Sequence, residues 1–454
     1  MTKNAWLNLN EQETKEVHSF CDGYINFLNI ARTERLANKE IIRQAEMKGY
    51  KNIETVDSLK PGDKVYVDQK GKAVLMFIIG KESIENGMNI VGSHIDSPRL
   101  DVKANPLYED TDGIAKLKTH YYGGVKKYQY GTIPLAIHGV VFNKDGEKIE
   151  VNIGDDEKDP VFCVTDLLIH LSKDQMAKPT REALTGEQMN LVLGNIPVNE
   201  EDKEAVKKNI LKLIKDKYNF EEEDFKVAEL EVVPATKARE LGLDRSMVLA
   251  YGHDDRICAY TSLQAILEVE NPTKTALCIF ADKEEIGSMG NAGMNSHMFE
   301  NAVAEVVARL GDYCELKVRR ALKNSKVLSA DVSVGYDSDF AETCEKLNTA
   351  FIGCGVALVK YTGSGGKGGS NDANSEFVHE VRTIFNENKI AWQTGELGKV
   401  DQGGGGTIAL MLSKYGAEVV DCGPAVLNMH APHELASKVD TYMSYKAYKA
   451  FMNR

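Results

Sequence analysis

Between positions 11 and 49, apolar side chains recur at helical spacing among charged ones (Val17, Phe20, Tyr24, Phe27, Leu28, Ala31), which predicts one or two amphipathic helices. Two apolar runs follow, KAVLMFIIG and MNIVGSHI, each of the length and composition of a buried strand. From about Met247 onward, strand-like and helix-like stretches take turns: MVLAYGHDD, RICAYTSLQAILEVE, TALCIFA, SHMFENAVAEVVARLG, KVLSADVSV, GVALVKY, SNDANSEFVHEVRTIFNEN, IAWQT, TIALMLSKYG and EVVDCG. A last helix is predicted from about Pro432 to Phe451. Such alternation predicts an α/β fold in three layers, a mostly parallel sheet with helices on both faces.

The middle of the chain breaks this pattern. Between 108 and 247 hairpin-like stretches (THYYGGVKKYQYGTIPLAIHGVVFNKDG, with an Asp145-Gly146 turn signal) precede a charged region whose EEDKEAVKKNILKLIKDKY reads as a helix. The reading is therefore two domains. Residues 1–107 and 248–454 form a discontinuous α/β domain, and 108–247 form an inserted, largely β domain. There is no fixed-period repeat.

Composition narrows the function classes. The chain has 454 residues, 43% of them hydrophobic and 27% charged, which is ample for a sizeable core. A formal net charge of -13 disfavours phosphate backbones and anionic lipid, so neither nucleic acid nor a membrane is expected as a partner. The N-terminal stretch has no apolar segment behind a basic start, and no run approaches the ~20 apolar residues of a membrane span, so a cytoplasmic location is expected. The 8 cysteines include no CxxC pair and read mostly as small buried apolar residues.

Candidate chemistry sits where apolar runs end. Five motifs place His or carboxylates at or just past such a run: NIVGSHIDSPRL (His94, Asp96), LAYGHDDRI (His253, Asp254, Asp255), IFADKEEIGS (Asp282, Glu284, Glu285), VLSADVSVGYD (Asp331) and AVLNMHAPHE (His430, His433, Glu434). Taken singly, each reads as a cap or turn. Taken together they put many acids at strand ends with almost no cation among them, and gathered, partly buried carboxylates demand opposite charge. In open α/β sheets, ligands bind beyond the carboxyl ends of the strands, and oxygen donors mixed with imidazoles suit zinc, manganese or cobalt. The inventory is large enough for two ions. In a two-metal hydrolase one carboxylate bridges ions ~3.5–4 Å apart, which lower the pKa of a shared water. A second carboxylate moves the proton. Adjacent Glu284 and Glu285 can divide those tasks.

Other chemistries find less support. GSGGKGG fits GxGxxG through Gly363, Gly365 and Gly368, but Glu387 downstream falls inside an apparent helix, and Gly368 stands where a phosphate loop needs Ser or Thr. The cluster reads better as a close-approach loop before a helix capped by Ser370 or Asn371, and KVDQGGGGTIAL reads as a second such loop. There is no GxSxG, and HEVR and HELAS lack the second His of HExxH.

In their order along the chain, GSHIDSPRLD, HYYGG, GHDDR, DKEEIGS, SADVS and NMHAPHE resemble the M18 family of zinc aminopeptidases, from about residue 15 to the C-terminus. The resemblance implies a zinc-exopeptidase catalytic domain with two divalent metal ions, zinc first and cobalt or manganese as alternatives. His94 and Asp331 would bind one ion, Glu285 and His430 the other, and Asp254 would bridge. The choice of Asp254 over Asp255 rests on the alignment alone. Glu284 would be the general base, and Asp96 would orient the His94 imidazole. His170, in LLIHLSKDQ, matches a family histidine that contacts substrate in a neighbouring subunit's site or serves as an auxiliary metal ligand. Lys360, in GVALVKYTG, stands where acid-preferring members carry a basic residue facing the substrate side chain. His433 could replace His430 as ligand, and Glu434 reads as an acid near the N-terminus of the last helix.

The function implied is removal of N-terminal residues from short peptides, acidic ones slightly favoured over neutral, by a homo-oligomer of dodecameric type. A metal-dependent deacylase of N-acyl amino acids is the rival on the same architecture. A binding protein with a vestigial site is disfavoured because every ligand position holds a competent residue.

Overall fold

The computed structural model describes residues 3–311 and 313–454. The predicted opening helices are Glu11–Ile30 and Glu34–Met47. The first starts at a capping box: Asn10 Oδ1 accepts the Glu13 N–H at 2.9 Å, and Glu13 Oε2 accepts that of Asn10 at 2.8 Å. Its buried face is Val17, Cys21, Tyr24, Phe27 and Leu28, the stripe visible in the sequence.

The chain divides into two compact units. The first runs up to Ser97 and includes Ala238–Met429 and His433–Arg454; the second is Pro98–Lys237 with His430–Pro432.

The first unit is built on a nine-stranded sheet. Its centre is parallel: Ala276–Ala281, Asn89–His94, Lys326–Ser329 and Glu418–Gly423 lie side by side in that order. The flanks are mixed, because Ala73–Ile78 and Val356–Val359 pair antiparallel to the outer two of these. Strand Ala73–Ile78 is buried throughout, and its alternate side chains enter different cores. Val74, Met76 and Ile78 join a cluster with helices Glu11–Ile30, His253–Leu267 and Lys438–Met452. Ala73, Leu75 and Phe77 join one with Met298–Leu310 and Glu315–Lys323. A smaller five-stranded sheet in the same unit contains Met247–Ala250 and Glu434–Ser437, paired antiparallel.

That pairing changes the expected end of the chain. The last helix is Lys438–Met452, because residues 434–437 are drawn into the small sheet, where backbone pairing outweighs local helix preference. The helix after the first glycine cluster also begins later, at Ser375, with Asn374 in the capping position. Ser370 instead holds the glycine loop, its Oγ accepting the Thr362 N–H at 2.8 Å. The two glycine loops do approach closely, since a Cβ on Gly404 would stand 2.1 Å from the Gly363 carbonyl.

The second unit is a seven-stranded sheet in the order Lys148–Ile153, Leu135–Phe142, Glu229–Pro234, Arg99–Glu109, Ala115–Tyr122, Leu191–Gly194, Cys163–Val164, every pairing antiparallel. The Asp145-Gly146 signal marks a hairpin turn, with Gly146 at φ 78. The charged helix of this region is Ala205–Tyr218. All 8 cysteines are free thiols, and only Cys314 is exposed. No helix among the described residues is long and apolar enough to cross a membrane.

Candidate metal centre

Three neighbouring parallel strands of the large sheet end at one edge and carry the acids and imidazole out together. His94 is the last residue of Asn89–His94 and is level with Ala281, the last of Ala276–Ala281, whose continuation is Asp282 to Glu285. On the other side Ser329 is level with Gly92, and Asp331 follows two residues later. Register alone therefore delivers His94, the two glutamates and Asp331 to one place. Asp254 arrives from another direction, in the first turn of His253–Leu267.

The turn after Ala281 separates three acids. Lys283 adopts a left-handed backbone (φ 66), a conformation that costs an L-residue about 1–2 kcal/mol. Its N–H donates to Asp282 Oδ1 at 2.7 Å, and its ammonium lies 3.4 Å from Asp282 Oδ2. Asp282 is thus occupied with Lys283, and the turn Glu284–Ile286 carries the two glutamates forward.

His94 is 1% exposed and its two ring nitrogens have different partners. Nδ1 donates to the Asp96 carbonyl at 3.1 Å and lies 3.3 Å from Asp96 Oδ1. Nε2 is thereby turned toward Asp254 Oδ1 at 3.2 Å, Asp331 Oδ1 at 3.8 Å and Glu284 Oε2 at 3.9 Å. Among the described residues, two groups each have their ligand atoms within 4.8 Å of one another: His94, Asp254 and Glu285, and His94, Asp255 and Asp331.

The electrostatics show what the cluster lacks. Burial pushes the Asp331 carboxyl well above the usual carboxylate range, and the charges of Asp255, Asp254 and Glu284 push it further, against the single opposing pull of His94. Burial likewise raises Asp255. For His94, burial acts to lower the pKa, but Asp254, Asp96, Asp331 and Asp255 outweigh it and hold the imidazole well above its ordinary value. The surroundings demand positive charge, and a divalent cation supplies more of it than one proton. Imidazole and carboxylate oxygen are also zinc's ordinary ligands, so the residues fit the ion.

His430, His170, Lys360 and His433 are not members of either compact group. His430 belongs to the second unit, where its Nδ1 donates to the Gly124 carbonyl at 2.9 Å. Gly124 closes the HYYGG motif, and a Cβ there would stand 3.1 Å from His430 Nδ1, which explains why glycine suits the position. His170 is exposed in the short turn Ile169–Leu171 of the second unit. Lys360 is exposed just past strand Val356–Val359. Neither metal-capable group contains His433, whose imidazole is pushed down by burial and by the nearby Arg32. Sequence reasoning passed over Ser97, whose hydroxyl donates to the Asp254 carbonyl at 2.5 Å, and misread Glu434, whose Oε2 accepts the Asp254 N–H at 3.1 Å. No residue spacing announces either contact.

The chain has counterparts among known proteins. Residues 27–452 match the family model of the aminopeptidase I zinc metalloproteases (M18). A probable M18 family aminopeptidase 1 of Clostridium acetobutylicum is 53% identical over 456 residues, covering 99% of this chain and 98% of the relative. The crystal structure of an M18-family aminopeptidase from Thermotoga maritima superposes with a TM-score of 0.96 at 45% identity, covering 100% of this chain and 99% of that one. The mApe1 dodecamer of S. cerevisiae shares the fold at 19% identity, with a TM-score of 0.76 and 97% of each chain covered. Matched by that family model over residues 27–452 and by such relatives from end to end, the chain belongs to the M18 aminopeptidases, a family of zinc metalloproteases that hydrolyse peptides.

Proposed function

We propose that this aminopeptidase works with two divalent ions, zinc by preference and cobalt or manganese as substitutes, and removes N-terminal residues from short peptides. His94 and Asp331 hold one ion, Glu285 and His430 the other, and Asp254 serves both. The supporting observation is the approach of Asp254, Asp331 and Glu284 to one imidazole nitrogen at 3.2, 3.8 and 3.9 Å. Bound there, the ions would polarise the scissile carbonyl and bring the pKa of water toward neutrality.

The protein's own groups do the rest. Glu284 keeps 16% of its side-chain surface open, so its carboxylate can take a proton from the attacking water and return it to the leaving amine. Asp96 holds the imidazole through Nδ1 and leaves Nε2 as the ligating atom. Lys360 meets the substrate's first side chain, which favours Asp and Glu slightly over neutral residues. His170 reaches the substrate in a neighbouring copy, or assists there as an auxiliary metal ligand. Activity therefore depends on self-association, for which the dodecamer of the S. cerevisiae relative is the pattern. The first unit acts as a three-layer catalytic domain, and the second is the inserted domain through which copies associate.

The test compares aminoacyl-anilides bearing a free amine with N-acylated amino acids, with metal content measured on the same batch. Cleavage confined to free amines, with two ions per chain, supports the reading. Hydrolysis of N-acyl substrates without need of a free amine would replace it with a deacylase.

A further inference from the structure

The main chain around the metal centre is itself gripped by carboxylates. Asp96 takes the amides of Glu284 and Glu285 at 3.1 and 3.2 Å. Asp255 Oδ2 takes the amide of His94 at 3.3 Å, and Glu434 Oε2 that of Asp254 at 3.1 Å. Each residue expected to ligate through His94 Nε2 or Asp254 Oδ1 therefore has its backbone N–H held by a neighbouring acid.

Asp255 and Glu434 hold their main-chain amides from deeply buried positions. Asp255 and Glu434 are 0 and 1% exposed. Glu434 owes its place to the small sheet, whose register sets it level with Ala250, just ahead of the turn bearing Asp254.

We propose that Asp255 and Glu434 are positioning residues and not metal ligands: they clamp the main chain at His94 and Asp254, and so fix the separation of the imidazole Nε2 from the Asp254 carboxylate. The inference rests on the ion-site reading above. It also decides between two adjacent aspartates that the sequence leaves equivalent, and it counts against Asp255 as a ligand in the grouping with His94 and Asp331.

The test uses the full-length protein. Asp255→Asn and Glu434→Gln keep an oxygen to accept the amide, Asp255→Ala and Glu434→Ala remove it, and Asp254→Asn is the ligand control. Zinc stoichiometry and affinity are read by competition with a chromophoric chelator, alongside kcat and KM on an aminoacyl-anilide. The amide variants should keep full stoichiometry. The alanine variants should lose about 10–100-fold in zinc affinity and in kcat with little change in KM, a loss largely rescued by the amide variants. Loss of an ion from Asp255→Asn or Glu434→Gln, matching that of Asp254→Asn, would overturn the proposal, as would alanine variants that bind zinc like the parent. Should an alanine variant fail to fold, the stoichiometry of its amide counterpart against Asp254→Asn decides the matter. Full stoichiometry in Asp254→Asn would instead sink the underlying ion-site reading.

Discussion

Asp96 Oδ1 accepts the main-chain N–H of Glu284 at 3.1 Å while standing 3.3 Å from His94 Nδ1. One side chain thus fixes both the imidazole and the turn that carries the proposed base. Asp96→Ala should lower kcat by about 100-fold with little effect on KM, and Asp96→Asn should fall between it and the parent. Steady-state kinetics with circular dichroism on the same samples checks this; an unchanged kcat in a folded Asp96→Ala protein would remove the assigned role.

Glu284 approaches His94 Nε2 at 3.9 Å without belonging to either compact ligand group. Glu284→Gln should therefore keep its metal and lose about 100- to 10,000-fold in kcat, the usual value of a positioned general base. Metal analysis beside turnover separates the outcomes, since co-ordinate loss of metal would make Glu284 a ligand.

Stripping the metal leaves Asp254, Asp255, Asp331 and Glu284 to repel one another across a buried space, with His94 opposing them. Chelation should abolish activity and lower the melting temperature. Restoring zinc at a thousandfold excess over its dissociation constant should return about 4 kcal/mol of stability. A melting temperature indifferent to chelator and zinc would contradict a cation-holding site.

Lys360 has no ion-pair partner among the described residues, which leaves it available to a substrate carboxylate. Lys360→Ala should reduce the ratio of kcat/KM for Asp over Leu substrates by about fivefold, the scale of an exposed ion pair near 1 kcal/mol. Retention of the parent ratio would move the origin of any acid preference elsewhere.

Asp440 offers a test of stability that is independent of the metal. It is fully buried on helix Lys438–Met452 and accepts the N–H groups of Gly353 and Gly355, each at 2.6 Å. Burial pushes its pKa up to about 7, against the opposing effect of those two amides. The unfolded value is about 4, so between the two the folded chain holds a proton that the unfolded chain has released. Stability from this group is therefore full below about pH 4, falls as pH rises from there and is lost once pH passes 7. Relative to Asp440→Asn, which cannot titrate, the parent should be about 2–3 kcal/mol better off at pH 5 than at pH 8. Urea unfolding of both proteins at the two pH values measures it, and a pH-independent difference would show that the carboxyl does not change its protonation.

The parts of the fold that were legible in the sequence were those with a strong local pattern. The amphipathic stripe of Glu11–Ile30, the apolar runs at Ala73–Ile78, Asn89–His94 and Ala276–Ala281, and the Asp145-Gly146 turn each carry their periodicity or turn chemistry in a few consecutive residues. Residues 434–437 did not, because their strand is made by its neighbours in the small sheet, Ala425–Leu427 and, far away in sequence, Met247–Ala250. Helix Glu315–Lys323 also went unread, its nine residues being too short for a periodic signal to stand out.

By itself the sequence determined which chemistry is available: acids and imidazoles stationed where apolar runs stop, too many to be tolerated without cations. Tertiary structure decided which of them share one nitrogen's surroundings. Parallel register brings His94 level with Ala281, the Lys283 turn directs Asp282 to its own ammonium, and pairing across the small sheet seats Glu434 beneath the Asp254 amide. The reason is physical. Residue type sets what a group can bind, but a hydrogen bond or ligand contact depends on separations of a few tenths of an ångström, which only long-range strand pairing and burial can fix.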